Sequence, residues 1–193
     1  MKHFLGLTVL AMTVTLNAQQ TQGSAQQNFI SGGSIRMHLE SGGYTIRATD
    51  SDQPRIVVTY HVNSEAELRK IKVEIHPGIS TADVEIRDTP NNNFQALIEV
   101  PRRSNLWIRL TAGKLTVQPI EGDKDLNLRA GQLEVDIPNP DEYGHREASV
   151  WTGSIAASAF GISKGGLFRS FDQSGPGKFH LRAHVMSGEI DMR

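Results

Sequence analysis

The chain has 193 residues, 20 basic and 21 acidic, a formal net charge of −1 and no cysteine. That length suits one domain or a compact pair, and the near-balanced charge leaves no basic block to hold a phosphate backbone, so nucleic acid is not an expected partner. The absence of cysteine excludes disulfides, thiol nucleophiles, cysteine-ligated zinc and a lipid-modified cysteine anchor.

The chain opens on "MKH", runs through the thirteen apolar or small residues "FLGLTVLAMTVTL", and continues as "NAQQ". This is the layout of a secretory signal peptide over residues 1–18, cleaved after Ala18 and too short to span a bilayer. Export to the periplasm, the cell surface or the medium is therefore expected. No second long apolar run follows, so no transmembrane segment is expected in the mature chain. The following stretch, "QQTQGSAQQNFISGG", is rich in Gln, Gly and Ser and reads as a flexible lead-in over residues 19–33.

From Ser34 onward short runs alternate apolar and polar residues, as in "RIVVTYHV", "ADVEIRD" and "QLEVDIP", and Gly, Pro, Asn and Asp separate them. This is the pattern of an all-β domain over residues 34–193. Residues 34–100 read as an irregular antiparallel part. Within it "NSEAELRK" breaks the alternation, and Ser64 is placed to cap one short helix near residues 64–70.

Residues 105–193 carry a repeat that also occurs once earlier. Apolar–x–apolar–x–small–Gly–x–apolar–x–apolar fits "MHLESGGYTI", "IRLTAGKLTV", "LNLRAGQLEV", "ASVWTGSIAA" and "AHVMSGEIDM", centred on Gly42, Gly113, Gly131, Gly153 and Gly188. Before Gly131 the apolar residues stand at odd offsets (Leu126, Leu128), and after it at even ones (Leu133, Val135). A straight strand keeps one parity. The slip predicts a corner at each glycine, where a residue with free φ turns the chain and returns its apolar set inward. Stacked strand–corner–strand units imply a β-solenoid or β-roll. Its core is expected to hold Leu39, Ile46, Val58, Val73, Ile98, Leu110, Leu115, Val117, Leu128, Leu133, Val135, Val150, Ile155, Val185 and Ile190.

The run from "IEVPRRSNLWIRLTAGKLTVQPIEGDKDLNLRAGQLEVDIP" through "ASVWTGSIAAS", "GGLFRSF" and "HVMSGEIDM" resembles a bacterial family of exported β-rich proteins labelled "putative adhesins", a domain of unknown function. The likeness covers residues 98–193 well and residues 34–94 loosely. It implies a solenoid-like fold at the cell envelope and brings no catalytic residues with it.

Candidate chemistry is sparse. His180 and His184 have the spacing of a metal pair on a helix, but on a strand four residues span roughly 13 Å, beyond the reach of one ion. Glu134 and Asp191 fall at the same slot of their repeats, three residues past the glycine. An intervening Gly153 unit with Ala156 at that slot would break the acidic column and with it a calcium site. Gly-x-Ser-x-Gly and the phosphate-binding Gly-rich motif are both absent, and no cofactor or metal is expected.

The apolar residues that the phase turns outward are more telling. Trp151 and Met186 both stand two residues before a corner glycine, where other copies carry Glu40, Thr111 and Arg129. The intervening insertion, "FGISKGGLFRSFDQSGPGK", supplies Phe160, Leu167, Phe168 and Phe171. One reading folds this insertion over Trp151 and Met186 as an end cap; the other leaves an aromatic platform for a sugar or a partner chain. Trp107 also reads outward, with Arg102, Arg103 and Arg109 nearby. The expected function is non-enzymatic: an envelope protein of adhesin type, binding glycan or protein through a surface that includes Trp107, Arg109, Trp151, Phe168 and Met186. The alternatives are a polysaccharide-active enzyme using Glu134, Asp136 and Arg129, or a self-associating structural module.

Overall fold

The computed structural model describes residues 15–17, 20–49, 54–90 and 93–193. Most of the expected leader, and the expected cleavage after Ala18, lie outside the described residues; Thr15–Asn17 is strand β1. The other strands are β2 (Gln20–Asn28), β3 (Ser34–Leu39), β4 (Gly42–Ala48), β5 (Arg55–Val62), β6 (Lys72–Pro77), β7 (Thr81–Arg87), β8 (Gln95–Val100), β9 (Asn105–Val117), β10 (Lys124–Val135), β11 (Tyr143–Ala157), β12 (Ile162–Ser174) and β13 (Phe179–Met192). A single turn of α-helix, α1 (Glu65–Leu68), lies where expected, and the Ser64 hydroxyl accepts from the Glu67 N–H at 3.2 Å.

The thirteen strands among the described residues join one sheet, in the order β1-β2-β5-β8-β4-β9-β10-β13-β11-β12, with β3, β7 and β6 branching from β9. The branch follows from the corner. β9 buries Leu106, Ile108 and Leu110 before Gly113 and Leu115 and Val117 after it. Its first half pairs in parallel with β3 and its second half with β4, with Gly42 beside Gly113. The sheet thus has two walls that meet along the glycine row. Beyond β3 and β4 the walls separate, one continuing into β7 and β6, the other into β8, β5 and β2. All fifteen residues expected in the core are buried.

Each corner glycine has positive φ, from 122° at Gly113 to 157° at Gly42. They also nest. A Cβ built on Gly113 would lie 2.0 Å from the Gly42 carbonyl oxygen, one on Gly131 1.8 Å from that of Gly113, and ones on Gly188 and Gly153 1.7 Å from those of Gly131 and Gly188. Glycine is required twice here, for the left-handed backbone and for the approach of the neighbouring strand.

Three expectations are corrected. The β-solenoid or β-roll gives way to one open, mixed sheet. Its strands do not follow one another in chain order, because β13 enters between β10 and β11 in parallel with both. The segment read as a flexible lead-in contains β2, antiparallel to β5. Its inward residues are Thr21, Gly23 and Ala25, too small to show as an apolar alternation, and Tyr60 fills the space above Gly23. The insertion expected as a possible end cap is instead largely β12, an edge strand antiparallel to β11.

Candidate functional site

The β13 crossover decides which side chains become neighbours. Val150 pairs with Val185 and Thr152 with Ser187, which sets Trp151 beside Met186. Leu128 pairs with Val185 and Ala130 with Ser187, which sets Arg129 on the other side of Met186. On β12, Arg169 faces Val150 and Leu167 faces Thr152, so Phe168 stands beside Trp151, with ring centroids 4.8 Å apart and planes tilted by 57°. One row therefore crosses four adjacent strands in the order Arg129, Met186, Trp151, Phe168. Its apolar members are well exposed: Met186 49%, Trp151 57%, Phe168 65%, with Leu167 at 58% beside them. The cap does not form, because β12 spends its backbone on pairing with β11 and turns Ile162 and Phe171, not Leu167 or Phe168, inward.

The backbone at Phe168 has φ of 54°. A bulky residue in the left-handed region is strained, and such strain concentrates at functional positions. Beside it the Lys164 ammonium donates to the Ser170 carbonyl and the Arg169 Nε to the Gly165 carbonyl, each at 2.7 Å. These side chains occupy backbone acceptors of the edge strand and guard it against pairing with another chain.

Trp107 and Arg109 do not join this row. They lie on β9, three strands from β11, and serve each other. The Arg109 guanidinium covers the Trp107 ring at 3.9 Å and donates to Asp125 at 2.8 Å, while His38 meets the ring edge at 5.1 Å. Trp107 is half-buried as a result. Arg103 takes part in a single backbone bridge to Glu121.

The acidic column is continuous, since the Gly188 strand lies between those of Gly131 and Gly153 and pairs Glu134 with Asp191 directly. It is also neutralised. Lys114 sits 2.7 Å from Glu134, and Arg193 reaches Asp136 at 2.9 Å, Glu134 at 3.8 Å and Asp191 at 3.9 Å. The hydrogen bond from Lys114 holds the Glu134 carboxyl below its ordinary range, the opposite of what a general acid needs. Arg129 stands across the corner from these acids and is not part of their cluster. His180 lies 3.4 Å from Asp123, and His184 shares a hydrogen bond with Ser149 at 2.8 Å. Among the described residues no group of His, Cys, Asp or Glu is arranged to hold a metal ion.

No family model matches the chain, and no curated protein does. Among solved structures it is similar to a "putative cell adhesion protein" from Clostridium sporogenes, with a TM-score of 0.56 and 12% identity over 89% of this chain and 98% of that one. This likeness shows the fold. "Putative adhesins" from Parabacteroides merdae and Bacteroides fragilis align over 91% and 89% of this chain and 82% and 97% of theirs, at 10% and 12% identity. Their TM-scores of 0.30 are too low to build on. No helix among the described residues is long and apolar enough to cross a membrane.

Proposed function

We propose that this is an exported, non-enzymatic protein of adhesin type, which holds a component of the cell envelope on the row Arg129–Met186–Trp151–Phe168. The observation that carries this reading is the exposure of three large apolar side chains in one contiguous row. Stability alone favours burying them, and single-domain proteins rarely expose such a patch without a use for it. The layout of residues 1–18 and the name of the Clostridium sporogenes cell adhesion protein, whose fold is related, support the location and the class.

An enzyme is the weaker reading. Besides the neutralised acidic column, a surface depression brings Glu40 and Glu85 together. There Glu85 pairs with Arg87 at 2.8 Å and Glu40 accepts from the Thr89 N–H at 3.2 Å, so both carboxylates are engaged by neighbours.

The test starts from cells expressing the full chain, with the exported protein purified and passed over immobilised envelope fractions and a glycan array. Retention is expected, with at least a tenfold loss on Trp151→Ala and none on Trp107→Ala. The Trp151 variant should melt at the same temperature as the parent, because the indole is exposed. Equal retention of both variants would refute the assignment of this row.

A further inference from the structure

We infer that the partner of this row is an anionic lipid bilayer surface, into whose interface Trp151, Phe168, Leu167 and Met186 insert. The inference rests on the proposed function, and it names the chemistry of what that surface holds.

Charge carries the argument. Further out on the same wall three arginines are matched with acids, Arg109 with Asp125 at 2.8 Å, Arg182 with Glu147 at 3.2 Å and Arg87 with Glu85 at 2.8 Å, while Arg36 on β3 is in no ion pair among the described residues. Around the apolar row this matching stops. Arg129 stands in the row at one end; beyond Phe168 at the other, Arg169 and Lys164 stand opposite the buried Val150 and Ile155, so they lie on the inner side of the corner at the open edge of the sheet. None of the three is in an ion pair among the described residues, and the bonds of Lys164 and Arg169 go to neutral carbonyls. The nearest acid along β13 is Glu189, three residues past Met186 and across the corner. The patch is thus an apolar centre with one unneutralised arginine in its row and two further unneutralised cations at the sheet edge beyond Phe168. This composition matches a bilayer interface, where Trp and other large apolar side chains sit at headgroup depth and Lys and Arg meet anionic headgroups.

Other occupants fit less well. A second copy docked patch to patch would set Arg129, Lys164 and Arg169 of one chain among those of the other. Strand addition at β12 meets the carbonyls already occupied by Lys164 and Arg169. A sugar platform needs flat rings with amide and carboxylate groups beside them. Here the neighbours of Trp151 in the row are Met186 and a phenyl tilted by 57°. The row also lies on the outside of the corner, a ridge suited to insertion.

Exported protein purified from cells expressing the full chain is mixed with vesicles of phosphatidylethanolamine and phosphatidylglycerol, and separately with vesicles of phosphatidylcholine, and sedimented. Binding to the anionic vesicles is expected to be at least tenfold stronger and to fall several-fold as salt rises, because exposed charges are screened. Trp151→Ala with Phe168→Ala should reduce it at least tenfold. Arg129→Gln with Lys164→Gln should remove the preference for anionic lipid while both variants keep the parent melting temperature. Equal sedimentation of parent and variants would overturn the inference. So would retention on acidic glycans without vesicle binding, or a mass that rises with concentration in the absence of lipid and returns to monomer in the Trp151 variant. Those last two outcomes leave the row as a binding surface and refute only the lipid; folded protein that binds no envelope fraction, glycan or vesicle refutes the proposed function as well.

Discussion

Replacing Gly131 by valine is expected to lower the unfolding free energy by ~3 kcal/mol or more, the range of severe backbone and packing defects. For a chain of this length that is a fall of about 10 °C in melting temperature, or failure to fold. Two causes act together. Gly131 has φ of 125°, which a β-branched residue adopts only with strain. Its missing Cβ would also lie 1.8 Å from the Gly113 carbonyl oxygen, so the strands β9 and β10 would have to part. Gly165 provides the control. A Cβ there meets nothing within 4 Å and its φ is not in the left-handed region, so Gly165→Ala should change stability by no more than ~0.5 kcal/mol. Equal melting curves for Gly131→Val and the parent would mean that the corner needs no glycine.

Lys124 should give the second-largest effect, seen most clearly against pH. It begins β10 and is buried to 2% exposure. Its ammonium donates to the Ile120 carbonyl at 2.6 Å, to the Gly122 carbonyl at 3.1 Å and to the Tyr143 hydroxyl at 2.6 Å, and lies 5.0 Å from the Tyr143 ring centre. Burial lowers its pKa to about 8, while Glu142 and Asp123 pull it back up. In the unfolded chain a lysine titrates near 10.4. Between about pH 8 and 10 the folded protein has therefore released this proton while the unfolded chain still binds it, so stability rises with pH across that window, by ~2 kcal/mol. Above pH 10 the trend turns. Burial raises the pKa of Tyr143 and Tyr44, so the folded state keeps protons that the unfolded state loses. Lys124→Met leaves two carbonyls and a hydroxyl without their donor, at a cost of ~2 kcal/mol at pH 7. It should also flatten the rise between pH 8 and 10, so the gap from the parent widens there. Urea titrations of both proteins at intervals from pH 7 to 10 measure this; parallel profiles would show that Lys124 is not the titrating group.

Much of this fold is written in local spacing. The parity slip at Gly113, Gly131, Gly153 and Gly188 marks the corners because burial on a strand has a period of two and glycine alone tolerates the turn. The same spacing turns Trp151 and Met186 outward, and both are exposed. Local spacing is silent on spatial order. Nothing in "HVMSGEIDM" says that β13 enters between β10 and β11, since parallel neighbours share one pattern wherever they stand. That order makes Arg129, Met186 and Trp151 one row and keeps Ala156 from separating Glu134 and Asp191. Strand β2 escaped notice because its inward face is Thr21, Gly23 and Ala25, and the bulk belongs to Tyr60 across the pair. Lys124 escaped because a lysine at the start of a strand reads as solvent-facing. Its cage of two carbonyls and a hydroxyl comes from the turn before it and from Tyr143, nineteen residues on. Spacing turns Trp107 outward but does not show that it is covered, because Arg109 reaches it from two residues along its own strand and His38 from β3.

The order of strands beneath the exposed row can be measured directly, since the chain has no cysteine of its own. Three double variants suffice: Arg129→Cys with Met186→Cys, Met186→Cys with Trp151→Cys, and Arg129→Cys with Trp151→Cys. Adjacent strands stand about 4.8 Å apart, within the Cα separation of roughly 4.4–6.8 Å that a disulfide spans, and strands two apart stand beyond it. Under mild oxidation the first two pairs are expected to cross-link within one chain and the third to stay reduced. Cross-linking of 129 with 151, with neither pair involving 186 reacting, would place the strands in chain order and dissolve the row.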